Sequence, residues 1–357
     1  MHLPAIVLAN GYYQSPNGKT AHGLVRGSDR FSIQAVVDPA CAGGDAGEVL
    51  DGCRRNIPLV ADIATAIRIS PQSVSHCIIG IATHGGHFIP QLRTLILDAI
   101  GAGLSIVNGL HDCCCDAPDI AQAAARAGVE LIDIRKPKAQ SQLHIWEGRI
   151  HDVRAPRLAV LGTDCALGKR TTARMLVQAL GKTGVHAEMI YTGQTGWMQG
   201  SQYGFILDAT PNDYVSGELE AAIVRCDEEC RPQLIVLEGQ SALRNPSGPC
   251  GAEFLLSAAA RSVVLQHSAG RNYFEGFEDL GLAIPSLGSE LELIGLYGSR
   301  VLAITLNEDQ PEARMRASKL ELSRRHGIPV LRPLKDSLEP LLEAIGDLDL
   351  PDRSTAA

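Results

Sequence analysis

Positive charge is in short supply: 32 Lys and Arg face 40 Asp and Glu over 357 residues, a formal charge of −8 at pH 7. That balance excludes a protein that coats nucleic acid or an anionic membrane, while leaving room for a local basic pocket. No stretch reaches the ~18 apolar residues of a membrane-spanning helix. The ten cysteines include no CxxC pair, and no basic segment precedes the first apolar run, so MHLPAIVLANGYYQ reads as a first strand and not as a signal peptide. Reduced thiols and a cytoplasmic location are the expectation. Low-complexity tracts and solenoid-length repeats are absent, and no GxGxxG follows the first strand, so a dinucleotide in the first half is unsupported. Aromatics make up only 4% of the chain against 45% hydrophobic residues and 36 glycines. This is the composition of aliphatic strands, Ala-rich helices and glycine turns, and it excludes disorder and fibres.

The length exceeds twice a common domain of ~150 residues, so two domains are expected. Short aliphatic runs (AIVLAN, SIQAVVD, HCIIGIATHG, SIVNG, VELIDIR) alternate with helical patterns at 90–103 and 117–128, the rhythm of a parallel α/β sheet. Residues 1–140 therefore read as a Rossmann-like domain. Residues 141–156, with prolines and polar residues around them, read as a connection containing a hairpin. From Arg157 the alternation restarts (RLAVLGTD, HAEMIYTG, QLIVLEG, SVVLQHS, VLAITLN, IPVLRPL). A second α/β domain over 157–350 and a tail over 351–357 complete the division. A helix over 310–326 starts near a proline and stops at Gly327.

The most informative stretch is LAVLGTDCALGKRTTARMLVQAL. A buried strand runs into Gly162, then Thr163, Asp164, Cys165 and onward to Gly168 and Lys169, and a helix begins with Arg170, Thr171 and Thr172. Such a loop turns backbone N–H groups toward an anion, the helix start adds positive potential, and the lysine adds a charge at an exposed helix start. The chemistry is phosphate binding in a P-loop NTPase-like domain. Five residues separate Gly162 from Gly168 where the common loop has four, and Arg170 stands where Ser or Thr usually offers magnesium a hydroxyl. Either Thr171 or Thr172 replaces that ligand, or the loop holds a diphosphate without magnesium and Arg170 is a further cation on it.

The GTD opening resembles the loop of dethiobiotin synthetase. Two other stretches fit that likeness: VLEG places Glu238 where those enzymes keep an acid, and ITLNEDQP places Asn307 where an amide reads adenine. Taken together, GTDCALGKRTT, YTGQTGWMQG, DATPNDYVSGELE, LEGQSAL and IDIRKPK resemble the P-loop N-acetyltransferase family of D-glutamate N-acetyltransferase, which has a Rossmann-like domain ahead of the P-loop domain. The resemblance implies acetyl-CoA as donor and transfer of its acetyl group to the α-amino group of an acidic amino acid. Asn245 departs from the family pattern, where a histidine is expected.

Glu238, delivered to the mouth of the sheet by a buried run, is the candidate base. Lys169, Arg170 and the loop hold phosphate, and Arg135, Lys136 or Arg244 pair with substrate carboxylates. Gly193, Gln194 and Thr195 read as a polar loop closing over the bound group. Asp213 reads as a cap on a helix over 214–225 or as catalytic. The loops Thr83-His84-Gly85-Gly86-His87 and Asn108-Gly109-Leu110-His111-Asp112 follow parallel strands, where α/β proteins bind ligands. His111 is a second catalytic candidate, two residues from Cys113 in the run Cys113, Cys114, Cys115, whose thiols read either as a nucleophile or as small buried apolar groups. Metal ligands are not assigned, since His84, His87 and His111 with a cysteine match no standard zinc spacing. The partners expected are an amino acid and a CoA thioester or nucleotide, with no nucleic acid and no membrane, in a homo-oligomer. An ATP- and magnesium-dependent ligase or kinase-like enzyme is the alternative, and a nucleotide-binding regulator without chemistry is another.

Overall fold

The computed structural model describes residues 2–82 and 84–351. Its contacts divide it into one unit of Met1–Lys138 with Gly193–Ser201 and a second of Ala139–Thr192 with Gln202–Ala357. Thr83 and the tail beyond Pro351 lie outside the described residues.

The first unit runs β1 (Leu3–Leu8), α1 (Lys19–Arg26), β2 (Phe31–Val37), α2 (Ala46–Asp51), β3 (Leu59–Val60), α3 (Ile63–Ile69), β4 (His76–Ile79), α4 (Pro90–Gly101), β5 (Ser105–Asn108), α5 (Pro118–Ala127) and β6 (Leu131–Asp133). Its strands are all parallel, in the order β3-β2-β1-β4-β5-β6, which is the Rossmann order. Strands such as AIVL are buried on both faces, hence continuously apolar and not alternating. Helix ends follow local chemistry: Asp45 accepts from the amides of Gly47 and Glu48 at the start of α2, and Gly128 at φ +67 closes α5.

The second unit runs β7 (Arg157–Gly162), α6 (Lys169–Lys182) and β8 (Ala187–Tyr191), after which α7 (Gln194–Met198) belongs to the first unit. It resumes with β9 (Tyr203–Gly204), α8 (Asn212–Cys230), β10 (Leu234–Glu238), α9 (Ala252–Leu255), β11 (Ser262–His267), α10 (Leu287–Leu296), β12 (Arg300–Leu306), α11 (Glu312–His326), β13 (Val330–Leu331) and α12 (Glu339–Gly346). The parallel sheet has the order β13-β12-β11-β7-β10-β8-β9. β7 is central, with β10 on one side and β11 on the other. The loop after β7 therefore emerges between the strand ends that carry Glu238 and His267.

Two expectations are corrected here. Residues 139–156 form no hairpin and belong to the second unit. Their backbone amides find carboxylates on α8: Glu218 accepts from the His144 amide at 2.9 Å, and Glu220 accepts from Glu147 at 2.7 Å and Ile150 at 3.1 Å. The approach is close enough to require glycine at 217, where a Cβ would stand 2.1 Å from the His144 carbonyl. The stretch expected to be an open polar loop, 193–195, is instead a buried helix start in the first unit. Gln194 and Thr195 are buried, Thr195 Oγ1 lies 3.3 Å from Thr20 Oγ1, and Met198 enters the apolar core. Gln199 Nε2 then donates to the carbonyls of Gly23 at 2.7 Å and Gly27 at 2.9 Å. The apolar pair Trp197 and Met198 draws this segment inward. Among the described residues, no helix is long and apolar enough to cross a membrane.

Candidate phosphate-binding site

Gly162 ends β7 beneath the aliphatic stem of Lys169, so a Cβ there would stand 3.0 Å from Lys169 Cδ and 3.3 Å from the Gln266 carbonyl. The loop turns through left-handed conformations at Ala166 (φ +52) and Gly168 (φ +95), and α6 begins at Lys169 without a side-chain cap. That leaves the first turn of a 14-residue helix as the positive end of its dipole. Lys169 is buried and not exposed as expected: its Nζ donates to the carbonyls of Asp164 at 2.7 Å and Ser241 at 2.8 Å. Ser241, held at φ +40 just after Gln240, presents that carbonyl. Burial lowers the ammonium's affinity for its proton below the ordinary value, with nearby Glu238 and Asp164 opposing the shift.

The remaining loop residues divide by direction. Asp164 is fully buried and turned into the protein, accepting from Arg271 Nη1 at 2.7 Å, the Glu275 amide at 2.8 Å and Asn245 Nδ2 at 3.1 Å. It holds the loop's shape, and its negative charge does not suit the phosphate role expected from sequence. Thr163 Oγ1 lies 3.0 Å from His267 Nδ1. Cys165 receives Asn245 Nδ2 at 3.7 Å, so the residue that departs from the family pattern is bonded to the phosphate loop. Thr172 donates its hydroxyl to buried Gln266 Oε1 at 2.6 Å, alongside Thr305 at 2.7 Å. The Thr172 hydroxyl proton is thereby committed to Gln266, while its oxygen keeps its lone pairs. Arg170 and Thr171 are half-buried in the first turn of α6.

Glu238 ends β10 and is buried. Its Oε2 accepts from the Thr192 amide at 3.1 Å, its carbonyl accepts the Thr192 hydroxyl at 2.6 Å, and Gln240 Nε2 donates to that same hydroxyl oxygen at 3.0 Å. Asn307 follows β12, and its backbone N–H donates to the His267 carbonyl at 2.9 Å. Thr163, His267 and Asn307 thus form a connected row along the strand ends. Beside them a cavity of about 330 Å³ is lined by Gly270, Asn272, Gln310, Arg314 and Ser318, and Arg271, between two of its lining residues, bonds to Asp164 of the loop.

Sequence reasoning missed Gln266 and His267, although QHS ends a strand just as LEG and LN do. It also missed Arg271, which lies in an irregular segment. Burial depresses the His267 imidazole to about 4, which leaves it neutral at physiological pH.

Other expected residues are engaged elsewhere. Arg244 donates Nε to Glu290 Oε2 at 2.7 Å and Nη2 to Ser289 Oγ at 2.8 Å. In the first unit, Arg135 donates to the Gly109 carbonyl, and Lys136 Nζ bonds to Cys115 Sγ at 2.8 Å and Asp116 Oδ1 at 3.3 Å. His111 is exposed; the Cys113 thiol points to its backbone carbonyl at 3.9 Å and not to a base. Burial and neighbouring carboxylates push that thiol up to about 11, which removes it as a nucleophile at neutral pH. Cys114 is buried, and its amide with that of Cys115 binds the Asp133 carboxylate at 2.8 and 2.9 Å. Of the neighbouring loop, Thr83 and the His84 side chain lie outside the described residues, while His87 Nδ1 is 3.1 Å from Asp112 Oδ1. Asp213 sits inside the first turn of α8, whose N-cap is Pro211, so it caps no amide with its side chain and faces the favourable end of the dipole.

The P-loop domain model of a family described as a domain of unknown function, DUF1611, matches residues 144–342, and its Rossmann-like N-terminal model matches residues 39–137. The chain belongs to the DUF1611 family. This DUF1611 chain is 25% identical over 273 residues to a protein of Pseudoalteromonas sp named D-glutamate N-acetyltransferase, covering 74% of this chain and 79% of that one. It is 26% identical over 306 residues to a protein of the same name from Tritonibacter scottomollicae, covering 83% and 88%. A DUF1611 family protein from Anabaena variabilis superposes with a TM-score of 0.87 at 27% identity, covering 97% of this chain and 100% of that one. The resemblance read from GTDCALGKRTT and its companion stretches is borne out.

Proposed function

We propose that this protein is an N-acetyltransferase that moves the acetyl group of acetyl-CoA to the α-amino group of an acidic amino acid, D-glutamate being the acceptor in the names of its relatives. The observation that carries this reading is the phosphate loop with buried Lys169 emerging beside Glu238 on the neighbouring strand. A cation-bearing loop at a helix start suits a diphosphate. The open depression of about 330 Å³ beside the row from Thr163 to Asn307, whose lining includes Asn272, Arg314 and Glu321, is the candidate seat of the nucleoside.

The donor, when bound, supplies an acyl group already activated as a thioester. Amide formation then requires the acceptor ammonium to lose a proton before its nitrogen attacks. Glu238 is the group assigned to receive it, with Thr192 fixing the carboxylate through its amide. Lys169 and Arg170 provide fixed positive charge for the phosphates. Arg170 stands where the usual magnesium-binding hydroxyl would be, which favours a diphosphate held without magnesium.

The test is release of free CoA thiol on mixing acetyl-CoA with D-glutamate or other amino acids in magnesium-free buffer, with titration calorimetry of acetyl-CoA alongside ATP plus magnesium. Amino-acid-dependent thiol release and magnesium-free binding of acetyl-CoA are expected. Binding of ATP only with magnesium, and no thiol release with any acidic amino acid, would replace this reading with the ligase one.

A further inference from the structure

At the opposite end of β8 from Thr192 lies a group of side chains that the phosphate site does not use. His186 precedes β8 and Glu188 is its second residue, so the two share a face of the strand. Their side chains meet with Nε2 3.3 Å from Oε1. The last turn of α8 packs there and carries Cys226 and Cys230, four residues apart on one helix face, with their sulfur atoms 3.8 Å from each other. The donor atoms of His186, Glu188 and Cys230 all lie within 4.8 Å of one another. Glu188 acts electrostatically on both thiols, and the Tyr203 hydroxyl hydrogen-bonds to Cys230.

We propose that His186, Glu188, Cys226 and Cys230 form a structural zinc site that clips the start of β8 to the end of α8. Imidazole, carboxylate and thiolate are the donors zinc takes, and four protein ligands close its tetrahedron. Zinc bonds of ~2.0–2.3 Å in that geometry set neighbouring ligand atoms roughly 3.3–3.8 Å apart. The His186–Glu188 and Cys226–Cys230 separations already have these lengths. Cys226 is buried and its sulfur lies outside that 4.8 Å group, so closing the tetrahedron requires the half-buried His186, Glu188 and Cys230 side chains to turn toward it. Binding releases the two thiol protons and leaves the sulfurs as thiolates on the metal. The role is structural: β8 spans Ala187–Tyr191, about 16 Å at the rise of a strand, and separates this group from Glu238 at the other end. The four residues lie 44 positions apart at the extremes and contain no CxxC, so spacing alone does not suggest them. A plain ion pair beside one buried and one half-buried thiol is the competing account.

The experiment uses the full chain, loaded with zinc, desalted and analysed for metal by mass spectrometry. Wild type should keep a stoichiometric zinc ion, His186→Ala, Cys226→Ser and Cys230→Ser should each lose it, and Cys115→Ser, in the other unit, should keep it. Absence of zinc from wild type, or its retention in all three ligand variants, would overturn the site. Cobalt(II) loaded into wild type needs no variant to fold: a sulfur-to-cobalt charge-transfer band with intense visible bands of tetrahedral cobalt is expected. The weak spectrum of octahedral cobalt, without a sulfur band, would count against the proposal.

Discussion

Thr192 and Glu238 grip each other twice at the ends of adjacent strands, amide to carboxylate at 3.1 Å and hydroxyl to carbonyl at 2.6 Å. A strand-end carboxylate with one oxygen fixed by a backbone N–H keeps a defined direction. Glu238→Gln preserves this shape and cannot accept a proton. It should lower kcat by roughly 10²–10⁴ with little change in acetyl-CoA affinity. Near-full kcat in that variant would remove Glu238 from the mechanism.

Lys169→Ala removes the ammonium from the loop. Loss of one charge-assisted contact should cost about 1.5–3 kcal/mol of affinity for a phosphate-bearing cofactor, roughly tenfold to 100-fold in Kd. Because Nζ also bridges the Asp164 and Ser241 carbonyls, the variant should melt somewhat lower while keeping wild-type far-UV circular dichroism. Unchanged affinity for acetyl-CoA by calorimetry would show that 162–172 is a turn and not a phosphate site.

Magnesium should not be needed for turnover. Arg170 supplies charge at the position where a metal-binding hydroxyl usually stands. Rates in magnesium-free buffer and after magnesium addition should agree; strict dependence on magnesium would favour nucleotide-dependent chemistry.

The phosphate loop was legible because everything it needs is contiguous: an aliphatic strand, Gly162, Gly168, Lys169 and a helix. Glu238 and Asn307 were legible because buried strands announce their own ends. What holds those parts in place was not. Asp164 is oriented by Asn245 and Arg271, 81 and 107 residues away, and no local pattern records such partners. The TGQTG stretch misled for a related reason: its first residues are polar, and only Trp197 and Met198 signal that the segment is drawn into the core. Lys169 looks exposed in any helix-start pattern, and only the packed loop and the Ser241 carbonyl bury it.

Arg244 illustrates how a basic residue next to a site can be structural. Its guanidinium faces Glu290, which is buried, with an N–O distance of 2.6 Å. Arg244→Met would leave that carboxylate buried without its cation, costing about 2–3 kcal/mol because the arginine side is partly solvated. The double variant with Glu290→Gln should recover most of the loss in urea unfolding. If Arg244→Met instead raised KM for the amino acid with no loss of stability, the substrate-binding role would be restored.

His267 makes acid stability a probe of the site's packing. Burial pushes its imidazole down to about 4 from the usual 6.5, with Asp309 opposing the shift and His326 adding to it. Between those values the unfolded chain binds a proton that the folded chain does not, so the unfolded state holds more protons and stability rises with pH. The contribution is therefore complete above about 6.5 and is lost as pH falls toward about 4, a total of about 3 kcal/mol. His76 and His326, lowered by burial as well, act in the same direction. His267→Asn keeps a polar partner for Thr163 but does not titrate in this window. Between about pH 7 and about pH 5, wild type should lose about 2 kcal/mol more unfolding free energy than the variant. Equal losses would mean that solvent reaches His267 and that the row from Thr163 to Asn307 is open, so that the imidazole becomes a cation as the solution turns acidic.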